Sequence, residues 1–389
     1  MLATDISATN CLTDWVSGVA SSGTFFKNAD ANWEATGANG IPEGWKIKDY
    51  EGTFDDSNIP YITFTAESEQ TLTMSQLIIE SLEYSVNGGA WSTLGSKTVI
   101  FGGTNGNLRL RGKSSIGTAE LVRGGLTYLV PSIIVFGNNT KVQCTGDIRT
   151  LVDFKNYSTA DCRNARFGRL FENCSQLTIA PELPVTTLAD YCYESMFDHC
   201  SSLVTAPELP ATSLADFCYV TMFAYCTSLT NIPELSAASL AHGCYQYMFR
   251  GCSSLIAAPT LPATSLAPEC YRGLCSDCES LTTAPELPAT ALATGCYEDM
   301  FVSCLFLTTA PKLPATTLSE RCYAGMFYGC SKLNNITMLA TDISETDCLN
   351  DWMSGVATSG TFYKNVNATW NVTGASGIPR GWTVQTVTE

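Results

Sequence analysis

The stretch LPATSLADFCYVTMFAYCTSL, residues 209–229, decides how this chain is read. Twenty-six residues further on stands LSAASLAHGCYQYMFRGCSSL, residues 235–255, and the same frame returns four more times. One cysteine column runs Cys192, Cys218, Cys244, Cys270, Cys296, Cys322, and a second runs Cys174, Cys200, Cys226, Cys252, Cys278, Cys304, Cys330, both stepping by 26 without slippage. Six full units lie between Ile179 and Asn334. A degenerate unit, DFKNYSTADCRNARFGRLFENCSQLT, precedes them, and another, NITMLATDISETDCLNDWMSGVATSG, follows. An array with atypical ends implies a solenoid, because each unit covers its apolar face only against its neighbours.

Within residues 205–230, Leu214, Cys218, Met222 and Cys226 fall at successive i+4 steps, which predicts a helical stripe. At about 100° per residue, Ala215, Tyr219 and Phe223 join that side, while Asp216, Phe217, Val220, Thr221, Ala224 and Tyr225 face away. The inward columns repeat, as in Tyr193, Tyr219, Tyr245, Tyr271, Tyr297 and Tyr323. The outward ones vary, as in Glu194, Val220, Gln246, Arg272, Glu298 and Ala324. Pro207-Glu208-Leu209-Pro210 must be extended, since proline fixes φ and disfavours helix before it. The expectation is one helix and one short bridging segment per unit, helices outside.

Cysteines eight apart on a helix would have Cα atoms about 12 Å apart, beyond the roughly 4.4–6.8 Å that a disulfide spans. The reading is therefore a column of buried, reduced thiols acting as small hydrophobes. Cys275 replaces the phenylalanine of its column and makes one Cys275-x-x-Cys278, which is too little for a zinc site and reads as drift. No metal or cofactor is expected. The tyrosine column reads as interior packing with tethered hydroxyls. Glu182, Glu208, Glu234 and Glu286, interrupted by Thr260 and Lys312, read as a solvated row rather than a calcium ladder.

Two other regions flank the array. From about Glu51 to Val152 short alternating runs such as LEYSVNGGAWSTL are broken by Asn-Gly and Gly-Gly; Asn87-Gly88 is a hairpin signal, and the spacing suggests an antiparallel sandwich. Residues 1–45 repeat as residues 338–382 with 32 of 45 positions identical, so the chain opens with a copy of its own array ending. This segment reads as a closing cap, packing on the next domain or self-associating with another subunit.

The 389 residues carry 45% hydrophobic and 15% charged side chains and a net charge of −16. That balance argues against nucleic acid or anionic membrane as partner. No apolar run reaches the length of a membrane span. LATDISATNC after Met1 lacks the basic start and apolar core of a secretory signal. His199 and His242 occupy different outward columns, and no zinc-protease, nucleophile-elbow or phosphate-loop motif occurs. No catalytic residue is assigned.

The segment Met248-Phe249-Arg250-Gly251-Cys252-Ser253-Ser254-Leu255 resembles the F-x-x-C-S-S-L core of BspA-like leucine-rich repeats, although the period here is longer than is usual in that family. The resemblance covers Asp153 to Gly360. The tail TFYKNVNATWNVTGASGIPRGWTV and the strand region also resemble those of repeat proteins of gut Bacteroides-type bacteria and their phages. It implies an adhesion module on a cell surface or virion and brings no catalytic residues.

The expected fold is thus α+β and multi-domain: residues 1–48 a duplicate of the C-terminal cap, 49–152 a β-sandwich-like domain, 153–360 a leucine-rich-repeat solenoid of 26-residue repeats, and 361–389 the C-terminal cap. Tyr191, Phe217, Tyr225, Tyr247, Arg250, Arg272 and Tyr328 on the variable face mix aromatics with arginines, the residue types favoured at binding sites. Tyr84 and Trp91 flank the Asn-Gly turn as a second candidate for stacking on a sugar ring. The favoured function is non-enzymatic, extracellular recognition of host glycan or protein. A structural decoration protein is the alternative, and a polysaccharide-acting enzyme ranks below both.

Overall fold

The computed structural model describes residues 12–28, 36–37, 39–50, 56–76, 78 and 81–388. The chain divides into two compact units, Met1–Ile59 and Pro60–Glu389.

The larger unit is a β-solenoid of stacked coils that grows out of a pair of sheets. It contains no α-helix among the described residues, so the expected α+β class and its outer helices are corrected. In residues 217–226 the even-numbered amides close tight turns within the coil: Cys218 N–H donates to the Ala215 carbonyl at 3.3 Å, Val220 to Phe217 at 3.2 Å, and Met222 to Tyr219 at 3.2 Å. The odd-numbered amides instead cross to the next coil, Phe217 donating to His242 at 2.9 Å, Tyr219 to Cys244 at 3.0 Å and Thr221 to Gln246 at 2.9 Å. Every fourth residue is left-handed, with Phe217, Thr221 and Tyr225 at φ of 54°, 51° and 55°. This ribbon of overlapping turns repeats every four residues without drift. A helix would rotate its stripe by about 40° at each four-residue step, so the strict i+4 spacing suits the ribbon better.

The ribbon leaves no amide of the stretch without a partner, which is what burial demands. Half of those partners lie in the neighbouring coil, so one coil cannot form alone. Single-residue parallel bridges tie the coils on the other side, pairing Thr187 with Ser213, Ser213 with Ser239, Ser239 with Ser265 and Thr205 with Asn231. Pro207-Glu208-Leu209-Pro210 runs between two such bridges, where its missing amides cost nothing.

Inside, the repeated columns stack on themselves. Tyr193 and Tyr219 lie 5.8 Å apart at 7°, Tyr245 and Tyr271 5.9 Å at 2°, and Phe197 and Phe223 5.5 Å at 4°, within the range of offset stacking. The tyrosines are at most 2% exposed. The hydroxyls of Tyr193, Tyr219 and Tyr271 have no hydrogen-bond partner, so tethering was the wrong expectation there; ring packing holds the column.

The second cysteine column has a specific task. From Cys200 onward each thiol donates to a carbonyl one coil back: Cys200 to Phe171 at 3.1 Å, Cys226 to Phe197 at 3.1 Å, Cys252 to Phe223 at 3.2 Å and Cys278 to Phe249 at 3.1 Å. The Phe197 carbonyl already accepts the Cys200 amide at 3.0 Å, so the thiol takes its second lone pair. Cysteine fits because it is small, apolar and still a weak donor. All 17 described cysteines are free and buried, against 18 in the sequence. An aromatic disulfide reagent at neutral pH is therefore expected to titrate at most one thiol (18 − 17) in the native protein and all 18 after denaturation. A shortfall in the denatured count would reveal covalent bridges.

The solenoid opens on two sheets, antiparallel except for one edge pair. The larger orders Leu177–Ile179, Val142–Thr145, Ile62–Ala66, Leu108–Arg111, Glu83–Val86 and Ser92–Thr93, and the smaller orders Ile133–Phe136, Gln70–Ser75 and Val99–Phe101. Their inner faces meet where Phe64 packs 6.3 Å from Phe101 and 5.9 Å from Phe136. The Glu83–Val86 hairpin turns at Asn87 and Gly88, both at positive φ, as the dipeptide requires. Leu177–Ile179 belongs to the first coil yet pairs in parallel with Val142–Thr145, and Phe64 lies 6.3 Å from Phe171, so sheet core and coil core are continuous.

The far end closes on a parallel sheet of Asn335–Met338, Thr361–Asn365 and Thr383–Val387. Trp352, fully buried beside Phe327, donates its indole N–H to Gly377 at 3.0 Å, and Trp382 donates to Ala357 at 2.7 Å. The N-terminal unit repeats this internal pattern. Thr24–Asn28 pairs in parallel with Lys46–Tyr50, Trp15 donates to Gly40 at 2.9 Å and Trp45 to Ala20 at 2.8 Å. The two copies therefore share hydrogen bonds as well as sequence.

Candidate functional site

The left-handed positions set the surface of the ribbon. One column holds Tyr191, Phe217, Gly243, Glu269, Gly295 and Arg321, the next Ser195, Thr221, Tyr247, Gly273, Asp299, Gly325 and Asp351, and the third His199, Tyr225, Gly251, Asp277, Ser303 and Gly329. The rings of Phe217, Tyr225 and Tyr247 each sit above a glycine of the following coil. A Cβ added to Gly251 would stand 2.5 Å from the Tyr225 ring, and the rings of Phe217 and Tyr247 press closer still on Gly243 and Gly273. Stacking of Tyr191 on Phe217 at 5.1 Å and His199 on Tyr225 at 4.6 Å helps hold these strained positions. His242 leans on Phe217 at 4.7 Å.

Four of the seven variable-face residues, Tyr225, Tyr247, Arg250 and Arg272, thus form a connected surface, and Tyr191 and Phe217 stack as a separate pair. The Arg250 guanidinium lies 5.6 Å from both the Tyr225 and Tyr247 rings, and that of Arg272 lies 5.9 Å from Tyr247. Tyr328 stands apart. It is 49% exposed, with no aromatic or cationic neighbour at its ring among the described residues.

Between Tyr247 and Tyr328 the surface sinks into a hollow of about 440 Å³, lined also by Arg250, Asp277, Asp299, Arg321, Gly325 and Asp351. Ion pairs brace its walls. Arg250 Nε meets Asp277 at 3.1 Å, Arg272 meets Glu269 and Glu298 at 3.3 Å each, and Arg321 also pairs with Glu298. Burial pushes the Glu298 carboxyl above its ordinary range, opposed by Arg272 and Arg321. Burial likewise raises Asp299, with Arg272, Arg321 and Arg250 pulling the other way. Ser276, 3% exposed, also lines the hollow, and its Oγ has no partner.

Tyr84 and Trp91 are not brought together. Tyr84 pairs opposite Leu110 and packs partly buried toward the core, with Lys97 Nζ 5.7 Å from its ring. Trp91 packs against Tyr61 at 4.8 Å and lies under Arg111 at 4.2 Å, on the sheet face that carries the arginines. The two rings make no common platform. Glu182, Glu208, Glu234 and Glu286 are all exposed. Among the described residues no cluster of three or more potential ligands is placed to hold a metal ion.

Sequence reasoning missed Asp299, Arg321, Gly325 and Asp351. The signal was there: Tyr247, Gly273, Asp299, Gly325 and Asp351 follow one another at steps of 26 and so stand in one column of the array. No family model, no curated protein and no solved structure matches this chain.

Proposed function

We propose that this chain is a non-enzymatic recognition module that binds a host glycan or protein through the ribbon face of its solenoid, displayed on a phage virion or bacterial surface. In this reading the array is a BspA-like leucine-rich repeat with 26-residue units, and the two sheets act as a sandwich that anchors it. The observation that carries the proposal is the connected aromatic and arginine surface beside a hollow, built on coils whose inner columns are uniform while these outer positions differ from unit to unit. No helix among the described residues is long and apolar enough to cross a membrane.

The test is binding of the labelled full-length chain to a panel of immobilised cell-surface glycoproteins, each intact and enzymatically deglycosylated. Saturable binding to some member is expected, and binding to none would overturn the proposal. A structural role draws on the N-terminal unit, which repeats the array-closing hydrogen bonds. Concentration-dependent assembly through residues 1–48 with no glycoprotein bound would favour that reading.

A further inference from the structure

We propose that the hollow at Gly325 is a binding site for a neutral pyranose ring. The proposal rests on the recognition reading above and deepens it by naming the ligand class.

In the column Tyr247, Gly273, Asp299, Gly325, Asp351 the first glycine is covered by the Tyr247 ring; no ring covers the second, where an added Cβ would strike the Asp299 carboxylate. Gly325 is flanked instead by Asp299 and Asp351, one coil on either side. At about 4.8 Å per coil the two backbones stand roughly 10 Å apart, a gap that one sugar ring spans. The missing side chain at Gly325 leaves room for the Asp299 carboxylate, which with Gly325 lines the hollow, and φ of 60° there favours glycine. The volume of about 440 Å³ falls in the ordinary range for small-ligand pockets.

The charges select the ligand. Arg250 is engaged by Asp277, and Arg321 by Glu298, so these wall charges are largely matched. Asp299 and Asp351 have no side-chain partner among the described residues and leave the hollow acidic. An anionic sugar is repelled. A neutral sugar offers hydroxyl donors, and a carboxylate accepts two adjacent ones as charge-assisted bonds. Arg250 and Arg321, 43% and 47% exposed, keep N–H groups for ring and hydroxyl oxygens. Tyr328 supplies the flat apolar face on which the C–H side of a pyranose lies. Carboxylates, guanidinium donors and one uncovered aromatic ring thus converge on one small concavity.

The experiment is saturation-transfer NMR and calorimetric titration of the full-length chain with the methyl glycosides of glucose, galactose, mannose and N-acetylglucosamine, with glucuronate and methylamine as comparators. At least one neutral glycoside is expected to bind. Asp299→Asn and Tyr328→Ala should each weaken it roughly tenfold, the worth of one charge-assisted bond or one stacking face. Neither change touches the stacked core, and an unchanged melting temperature checks that each variant is folded. Glucuronate should bind roughly tenfold more weakly than the parent glucoside, from like charge on the hollow. Glycoside binding that ignores both variants moves the sugar elsewhere and leaves the recognition reading standing. Binding of methylamine or glucuronate as tight as that of the neutral glycosides overturns the ligand class. Failure of every glycoside overturns the site, and the recognition reading falls with it only if deglycosylated glycoproteins also fail to bind.

Discussion

Between about pH 9 and 11 the solenoid is expected to lose its fold at room temperature, because its buried thiols cannot ionise in place. Burial pushes the thiols of Cys162 and Cys348 up to about 11 and those of Cys192, Cys244 and Cys296 up to about 12. It also raises Cys144, Cys174, Cys200, Cys218, Cys226, Cys252, Cys270, Cys304 and Cys322. At Cys275 the hydrogen bond with Cys278 leads and burial follows. A folded-state pKa above the unfolded value means that the stability is fully present below the unfolded thiol range and is lost as pH rises toward the folded one. Each thiol then costs about 1.4 kcal/mol per pH unit. Fifteen such thiols (5 + 9 + 1) amount to an upper bound on the order of 20 kcal/mol per unit. That exceeds the roughly 5–15 kcal/mol by which domains are ordinarily stable. Melting temperatures followed by circular dichroism from neutral pH upward, under reductant and without oxygen, test this. A melting temperature unchanged across that window would show that the thiols are not buried in the folded state.

Gly273→Ala is expected to destabilise the solenoid by about 2–5 kcal/mol, although it adds only one methyl group to the ribbon. Two costs combine. Gly273 sits at φ of 59°, where an L side chain costs about 1–2 kcal/mol. The new Cβ would also run into the Tyr247 ring, a crowding worth about 1–3 kcal/mol. The two are separable. In the background of Tyr247→Ala the crowding is gone, so the same glycine change should cost only about 1–2 kcal/mol. Gly124→Ala, with no atom near its Cβ and no positive φ, serves as a control expected within about 0.5 kcal/mol of the parent. Equal costs with and without the Tyr247 ring, measured by denaturant unfolding, would mean that the ring does not lie over the glycine.

Much of the site was within reach of the sequence. Tyr247, Arg250, Arg272 and Tyr328 were found as outward residues in variable columns, and the structure places them in or beside the hollow. The acidic half of the site was not found. Asp299 and Asp351 share the column of Tyr247 at steps of 26, but a helix gives that column no left-handed backbone and so no reason to single it out. The glycines were invisible for the same reason. Gly273 and Gly325 carry no task on a helix, and on a ribbon they admit the Tyr247 ring and the Asp299 carboxylate. Tyr84 and Trp91 were paired by their closeness to one turn, but strand alternation sends them to opposite faces.

By itself the sequence determined that the chain stacks coils, which residues face inward and that its thiols are free to be buried, because a period of 26 and uniform apolar columns leave few other ways to cover that surface. Only the tertiary structure decided what each coil is. Every second amide of the ribbon finds its carbonyl in the next coil, 25 residues away, so the local backbone is chosen by a partner that no single unit contains. Local periodicity favoured a helix because a helix is the answer for a segment that must satisfy its own amides. Stacked coils are relieved of that demand, and the same relief puts Gly325 and its two aspartates on one face.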